Sequence, residues 1–152
     1  MLPTPKKYFL TSGSAEGETE LTAFDGALLK AGIGNINLIK VSSILPPQAE
    51  YVPELKLPFG ALVPTAFGSI VCEEPGTIIS AAVAVGISED SFGVIMELAD
   101  KLIREEAENK IEQMVKESFA MRKMKLKDIK ISAVEHKVQK IGCAIAAVPL
   151  WY

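Results

Sequence analysis

A chain of 152 residues with a formal charge of −3 has the size of one domain with a layered core, and it lacks the basic surplus that nucleic acid requires. Hydrophobic residues make up 49% and charged residues 23%, with a mean hydropathy of +0.25, so apolar surface is left over for contacts between subunits, while the acidic balance suits a small cationic substrate. Cys72 and Cys143 are too few and too far apart for a disulfide framework, no apolar segment follows Lys6-Lys7 to make a signal peptide, and the longest apolar runs, Ile78 to Ile87 and Ile141 to Tyr152, are too short to span a bilayer.

These features point to a cytoplasmic protein with two buried, reduced cysteines and no membrane partner. Lys7 to Ser12 reads as a short strand and Ser12 to Gly17 as a polar loop. Glu18-Thr19-Glu20 supplies the acidic start of a helix that runs to Ala31 and stops at Gly32. Leu21, Phe24, Leu28 and Leu29 form its apolar stripe, with Asp25 inside it. A carboxylate there is costly unless it is exposed at the margin or meets a cation. Both readings stay open; a guanidinium would suit the second, because planar bidentate pairing gives affinity and orientation together.

Gly32 to Gly34 is a turn, placed between helix and strand in the wrong order for a dinucleotide fingerprint. Ile36 to Val41 reads as a buried strand that delivers Ser42-Ser43 into a constrained bend, since Pro46-Pro47 forbids a helix or central strand immediately beyond. Gln48 to Pro58 is a surface loop, and Phe59 to Cys72, broken by Gly60, Pro64 and Gly68, an irregular strand pair. Glu73-Glu74-Pro75-Gly76 is a turn that should pair its flanking runs as a hairpin. Thr77 to Ile87 and Phe92 to Leu98 are apolar on both faces, as strands between two layers are. Glu97 is the one charge in its run. It marks either the place where the strand meets water or a desolvated acid that holds and delivers a proton.

Asp100 is the expected N-cap of a helix reaching about Lys125. Its buried stripe is Ile103, Ala107, Ile111, Met114, Val115 and Phe119, its wet-side pairs are Glu106 with Lys110 and Glu112 with Lys116, and Arg122, Lys123 and Lys125 collect at its negative end. Lys127 to Gln139 and Gly142 to Tyr152 are strands, the last pinned inside a sheet or subunit contact.

His136 is the only histidine. A Ser-His-Asp hydrolase would have to use it, and a metal site would have to do without a second imidazole, so no metal is expected. Its place between Glu135 and Lys137 suits a surface or structural role. No phosphate-binding Gly-rich loop and no Gly-x-Ser-x-Gly elbow occurs. Ser42-Ser43 has two readings. It is a solvated turn whose hydroxyls bond to nearby backbone, or the Ser43 hydroxyl attacks the Ser42 carbonyl, and the resulting ester breaks to leave dehydroalanine and then a pyruvoyl group. The residues alone leave both open.

The stretch from Gly17 to Ile39, including Gly-Glu-Thr-Glu-Leu-Thr-Ala-Phe-Asp-Gly-Ala and Gly-Ile-Gly-Asn-Ile-Asn-Leu-Ile, with Val41-Ser-Ser-Ile-Leu-Pro-Pro after it, resembles the pyruvoyl-dependent arginine decarboxylase family. So do Gly60-Ala-Leu-Val-Pro-Thr-Ala-Phe-Gly, Gly93-Val-Ile-Met-Glu, Ala133-Val-Glu-His and Gly142-Cys-Ala-Ile-Ala-Ala-Val-Pro-Leu-Trp-Tyr. These blocks cover nearly the whole chain in the family's order.

The resemblance implies an α+β fold, a four-layer αββα sandwich. It implies one domain, 1–152, self-cleaved between Ser42 and Ser43 into a β chain (1–42) and an α chain (43–152). The cofactor would be a covalent pyruvoyl group derived from Ser43, the electron sink that decarboxylation needs, joined to the substrate amine as a Schiff base. L-arginine would give CO2 and agmatine, a polyamine precursor. Asn37 would serve processing by polarising or anchoring the Ser42 carbonyl, Glu97 would donate the proton, and Asp25 would receive the guanidinium. Leu21, Gly34, Ile36 and Ser42 would line the pocket. The working unit would be a trimer of αβ protomers with active sites between subunits, able to stack into a dimer of trimers. The rivals are a pyruvoyl decarboxylase for another amino acid, and an uncleaved homologue acting as a binding module.

Overall fold

Strands that are apolar on both faces must be covered on both faces, and this decides the architecture. The computed structural model describes residues 1–152. In chain order the elements are β1 (Lys7–Tyr8), β2 (Thr11–Glu16), α1 (Glu20–Lys30), β3 (Asn37–Lys40), β4 (Ile44–Leu45), β5 (Glu50–Tyr51), β6 (Leu62–Cys72), β7 (Ile78–Ser88), β8 (Gly93–Asp100), α2 (Arg104–Met121), β9 (Leu126–Lys137) and β10 (Gly142–Trp151). One sheet runs β3-β6-β10-β1-β5, with β2 also paired to β10; the other runs β4-β8-β7-β9.

The two sheets stack face to face and each carries one helix on its outer side. Alternation along β10 shows how: Ala144, Ala146 and Val148 enter the layer between the sheets, beside Val83, Val85 and Ile95, while Cys143, Ile145 and Ala147 point the other way, beside Ala23, Ala27 and Leu28 of α1. A third cluster joins Ala82, Ala84 and Val94 to Ala107, Ile111, Val115 and Phe119 of α2. This is the expected αββα sandwich. Fully burying a valine or isoleucine contributes about 1.5–3 kcal/mol, against about 0–1 kcal/mol for an exposed ion pair, so these three apolar layers hold the fold. Cys72 and Cys143 are free and buried, in different layers on opposite faces of their sheet.

Helix α1 begins where Thr19 and Thr22 cap each other reciprocally and ends at Gly32, whose φ of 77° suits a glycine. Its buried face is Ala23, Ala27 and Leu28, with Phe24 half-buried against it; of the expected stripe, Leu28 and Phe24 face the core while Leu21 and Leu29 are exposed. The cause is close approach to the sheet. A Cβ on Gly13 would lie 2.6 Å from Ala31 N, and one on Gly17 2.3 Å from Ala23 N. Only small side chains fit at that seam, so Leu21 and Leu29 turn outward. The same smallness hid β2, which occupies most of the segment expected to be a loop.

Other expectations change. β6 is one continuous strand, and Pro64 is tolerated because it lies beyond the last residue paired with β10, Thr65. β6 and β7 do not form a hairpin: the turn at Gly76 (φ 87°) carries the chain from one sheet to the other. β5, inside the expected surface loop, pairs in parallel with β1. Asp100 does not cap α2, and its side chain accepts from Lys101 N. The helix starts at Arg104, whose N–H is taken by Glu135 Oε1 of β9 at 2.8 Å. Ile103 is exposed, and Arg104 with Glu108 forms an i,i+4 pair alongside Glu112 with Lys116.

His136 ties the sheets together at one end. Its Nε2 hydrogen-bonds Glu16 Oε2, joining β9 to β2, and Glu16 also accepts from Lys140 N at 2.7 Å and Gln139 N at 3.2 Å. Burial pushes the Glu16 carboxyl up, but the bonds from His136, Lys140 and Gln139 outweigh it and hold the pKa below the usual 4.5. A carboxyl whose folded pKa is depressed contributes stability above its unfolded pKa, and that stability is lost as pH falls through the folded value. Thermal melting of the wild type should therefore weaken below about pH 4.5 more steeply than that of Glu16→Gln, with the two curves converging in strong acid.

Candidate active site

The chain changes sheets at Ser42-Ser43. β3 is the edge strand of the first sheet, parallel to β6, and its bonding continues one residue further through Val41 N to Thr65 O at 3.1 Å. Ile95 N then donates to Ser43 O at 2.7 Å, and Ile44 and Leu45 pair with Val94 and Gly93 at the edge of the second sheet. The Ser42–Ser43 peptide thus spans the two sheets, with an anchor to a different sheet on either side. Ser42 is exposed and Ser43 half-buried. β3 is not the buried strand expected from its composition, because an edge strand shows one side to solvent; Ile39 is exposed.

Glu97 lies two residues beyond Ile95 on β8, on the same face, turned toward the first sheet. Gly68 of β6 leaves it space, for a Cβ there would sit 3.4 Å from the Glu97 Cβ. Glu97 Oε1 pairs with Lys40 Nζ at 3.3 Å. Its Oε2 is buried and has no partner. Lys40 also lies over the Phe67 ring, 4.7 Å from its centroid.

Phe67 connects this cluster to a cavity of about 610 Å³ between α1 and β3. Leu21, Asp25, Gly34, Ile36 and Asn37, all singled out from sequence, share its wall with Phe67. Ser42 is not part of that wall. Asp25 is exposed on the helix margin. Gly34 is required by space, since a Cβ would fall 2.6 Å from Leu29 Cδ2 and 2.9 Å from Leu29 N. Asn37 donates from Nδ2 to Gly60 O at 3.0 Å. It precedes Ser42 by about 16 Å of extended strand, so within one protomer its amide fixes the Gly60 turn and does not touch the Ser42 carbonyl.

Sequence reasoning missed Lys40 and Phe67. A lysine on an exposed strand and a phenylalanine in an apolar one carry no signal by type; only the stacking of β8 against β6, which brings Glu97 within reach of Lys40, gives them meaning. The arrangement offers a serine pair where the chain crosses between the sheets, a carboxylate with one free buried oxygen, and a pocket with apolar walls and an acidic rim. Together these suit acyl transfer within the chain and proton delivery to a small cationic ligand.

A family model described as pyruvoyl-dependent arginine decarboxylase matches residues 7–152. The chain is 55% identical over 150 residues to a pyruvoyl-dependent arginine decarboxylase of Methanocaldococcus jannaschii, covering 97% of this chain and 91% of that protein. It is 47% identical to the one from Pyrococcus abyssi, with 97% and 96% covered, and 48% identical to the one from Pyrococcus horikoshii, with 95% and 94% covered.

Proposed function

The chain belongs to the pyruvoyl-dependent arginine decarboxylase family, and from that premise we propose how its own residues cut the chain at Ser42–Ser43 and decarboxylate L-arginine to agmatine and CO2. The observation that carries the reading is the Ser42–Ser43 peptide held by both sheets, with Ser43 O bonded to Ile95 N and Glu97 two residues further along the same strand.

Attack of Ser43 Oγ on the Ser42 carbonyl carbon breaks the peptide C–N bond and forms an ester. Loss of the Ser43 α-proton then expels the Ser42 carboxylate, and the dehydroalanine left at 43 takes up water and releases ammonia to give the pyruvoyl group. The residues present fit that group. It is made from a serine of the chain, the Ser43 carbonyl is already fixed by Ile95 N, and the one buried side-chain oxygen without a partner, Glu97 Oε2, sits on the adjoining strand. The group supplies an electron sink for the pair of electrons that carbon dioxide leaves behind.

Asp25 binds the guanidinium as a planar pair and so sets the register of the substrate. Leu21, Gly34 and Ile36 enclose the aliphatic chain and exclude water, and Ser42 closes the pocket near the substrate's amino-acid end. Glu97 delivers the proton that replaces the lost carboxylate. Asn37 serves the cut by holding the Gly60 turn at the start of β3 through its Nδ2 bond to Gly60 O; polarising the Ser42 carbonyl would require the amide of a second copy. Along β3 the cavity residue Leu38 and Ser43 are as much as about 16 Å apart, more than an arginine spans. That separation, and exposed apolar side chains near the cavity such as Leu21 at 75% and Phe59 at 89%, support sites between subunits of a trimer of αβ protomers, which can stack into a dimer of trimers. No helix is long and apolar enough to cross a membrane. Two buried free thiols support a cytoplasmic location.

The intact mass of the purified protein should show two chains, 1–42 and a pyruvoyl-blocked 43–152, whereas Ser43→Ala stays full length with its fold kept. A wild type of uncut mass that decarboxylates arginine would overturn the mechanism. Asp25→Asn should cut normally yet raise the arginine KM about tenfold or more, and turnover unchanged by it would favour another amino acid as substrate. Glu97→Gln should also cut normally, with kcat about a hundredfold lower in steady-state assays of CO2 release.

A further inference from the structure

Glu97 takes its ion pair from Lys40, a residue on the other side of the scissile bond. With the two side chains 57% and 30% exposed, the pair is too open to water to matter much for stability. Its geometry is more telling. The Lys40 ammonium is held twice, by Glu97 Oε1 and by the face of Phe67. Glu97 in turn is left with a single free oxygen, buried and without a partner, a state that proteins seldom tolerate away from functional sites.

We propose that Lys40 is a positioning residue for the reaction: by holding Glu97 Oε1 from the upstream segment, it fixes the carboxylate so that Oε2 alone carries the proton. The proposal rests on the reading of Glu97 as proton donor given above. Charge gives Lys40 a second task. The cut leaves an α-carboxylate on Ser42, two residues from Lys40 and within about 7 Å of it along extended backbone; the bonding of β3 continues as far as Val41. One ammonium then lies between two anions, the new carboxylate and Glu97, and offsets a repulsion that cleavage itself creates. It also links the upstream piece to the downstream one.

The test uses full-length K40M, which keeps much of the stem over Phe67 and loses the charge, and K40R, which keeps the charge. K40M should cut into two pieces, with kcat lowered about tenfold and arginine KM within about twofold of wild type, while K40R restores most of kcat. A readout free of turnover comes from reductive 13C-methylation of lysines followed by NMR. The Lys40 signal, assigned by its loss in K40R, should move when E97Q is introduced into the uncut Ser43→Ala chain, and should differ between that chain and the cut wild type. Wild-type kcat in K40M, a loss carried by KM alone, or a Lys40 signal indifferent to E97Q would overturn the role of Lys40. A cut and active wild type with an indifferent K40M sinks this role alone; an uncut wild type sinks the reading of the site and this role together.

Discussion

Two facing sheets sit at a separation that their interleaved side chains fix, about 10 Å, and the chain must cross that gap at Ser42-Ser43. On one side Val41 is bonded to Thr65 of the first sheet; on the other, Ser43 is bonded to Ile95 of the second. A peptide held this way cannot relax by sliding, because either slip would unpair a strand and turn its side chains to the wrong face. The layers that bury Val83, Val85, Ala146 and Val148 therefore do more than stabilise. They fix the backbone on both sides of the Ser42–Ser43 peptide, the kind of restraint from which the proposed intramolecular reaction would gain rate.

Around that crossing the chemistry is divided between strands far apart in sequence. β8 brings Glu97 to the edge, β3 brings Lys40, β6 contributes Gly68 as space and Phe67 as a platform. Asp25 stands further off on α1, at the rim of a cavity whose apolar wall continues onto exposed surface. Apolar side chains such as Leu21 stay exposed beside this cavity, which is consistent with the proposed closing of the site by a second copy.

Much of this was legible in the sequence because it depends on local pattern. The doubly apolar runs of β7 and β8, the Gly32 stop, and the serine pair before two prolines each report their own surroundings. What was hidden depends on partners. Glu135, 31 residues away, caps α2 where Asp100 was expected to. The Pro75-Gly76 turn announces a reversal of the chain but not whether the strands pair by edge or by face. β2 looks like a loop because the close seam with α1 demands glycine, serine and alanine in place of β-branched residues, and the same seam sends Leu21 and Leu29 outward. Lys40 acquires meaning only when the second sheet stacks on the first and brings Glu97 within its reach.

β10 threads the middle of the first sheet, with β2 and β1 along one edge and β6 along the other. β1, β2, α1 and β3 all belong to the upstream piece of the proposed cut, so a severed protein stays whole through backbone pairing and buried contacts alone. The consequence is an asymmetry in time. Before the cut, a denatured molecule can find its structure again as one polymer; afterwards, its two halves diffuse apart and must meet at cellular concentration to rebuild the sheet. The mature form would therefore persist by how slowly it opens, not by how readily it reassembles, and selection for durability would act on the barrier to parting β2 and β3 from their neighbours.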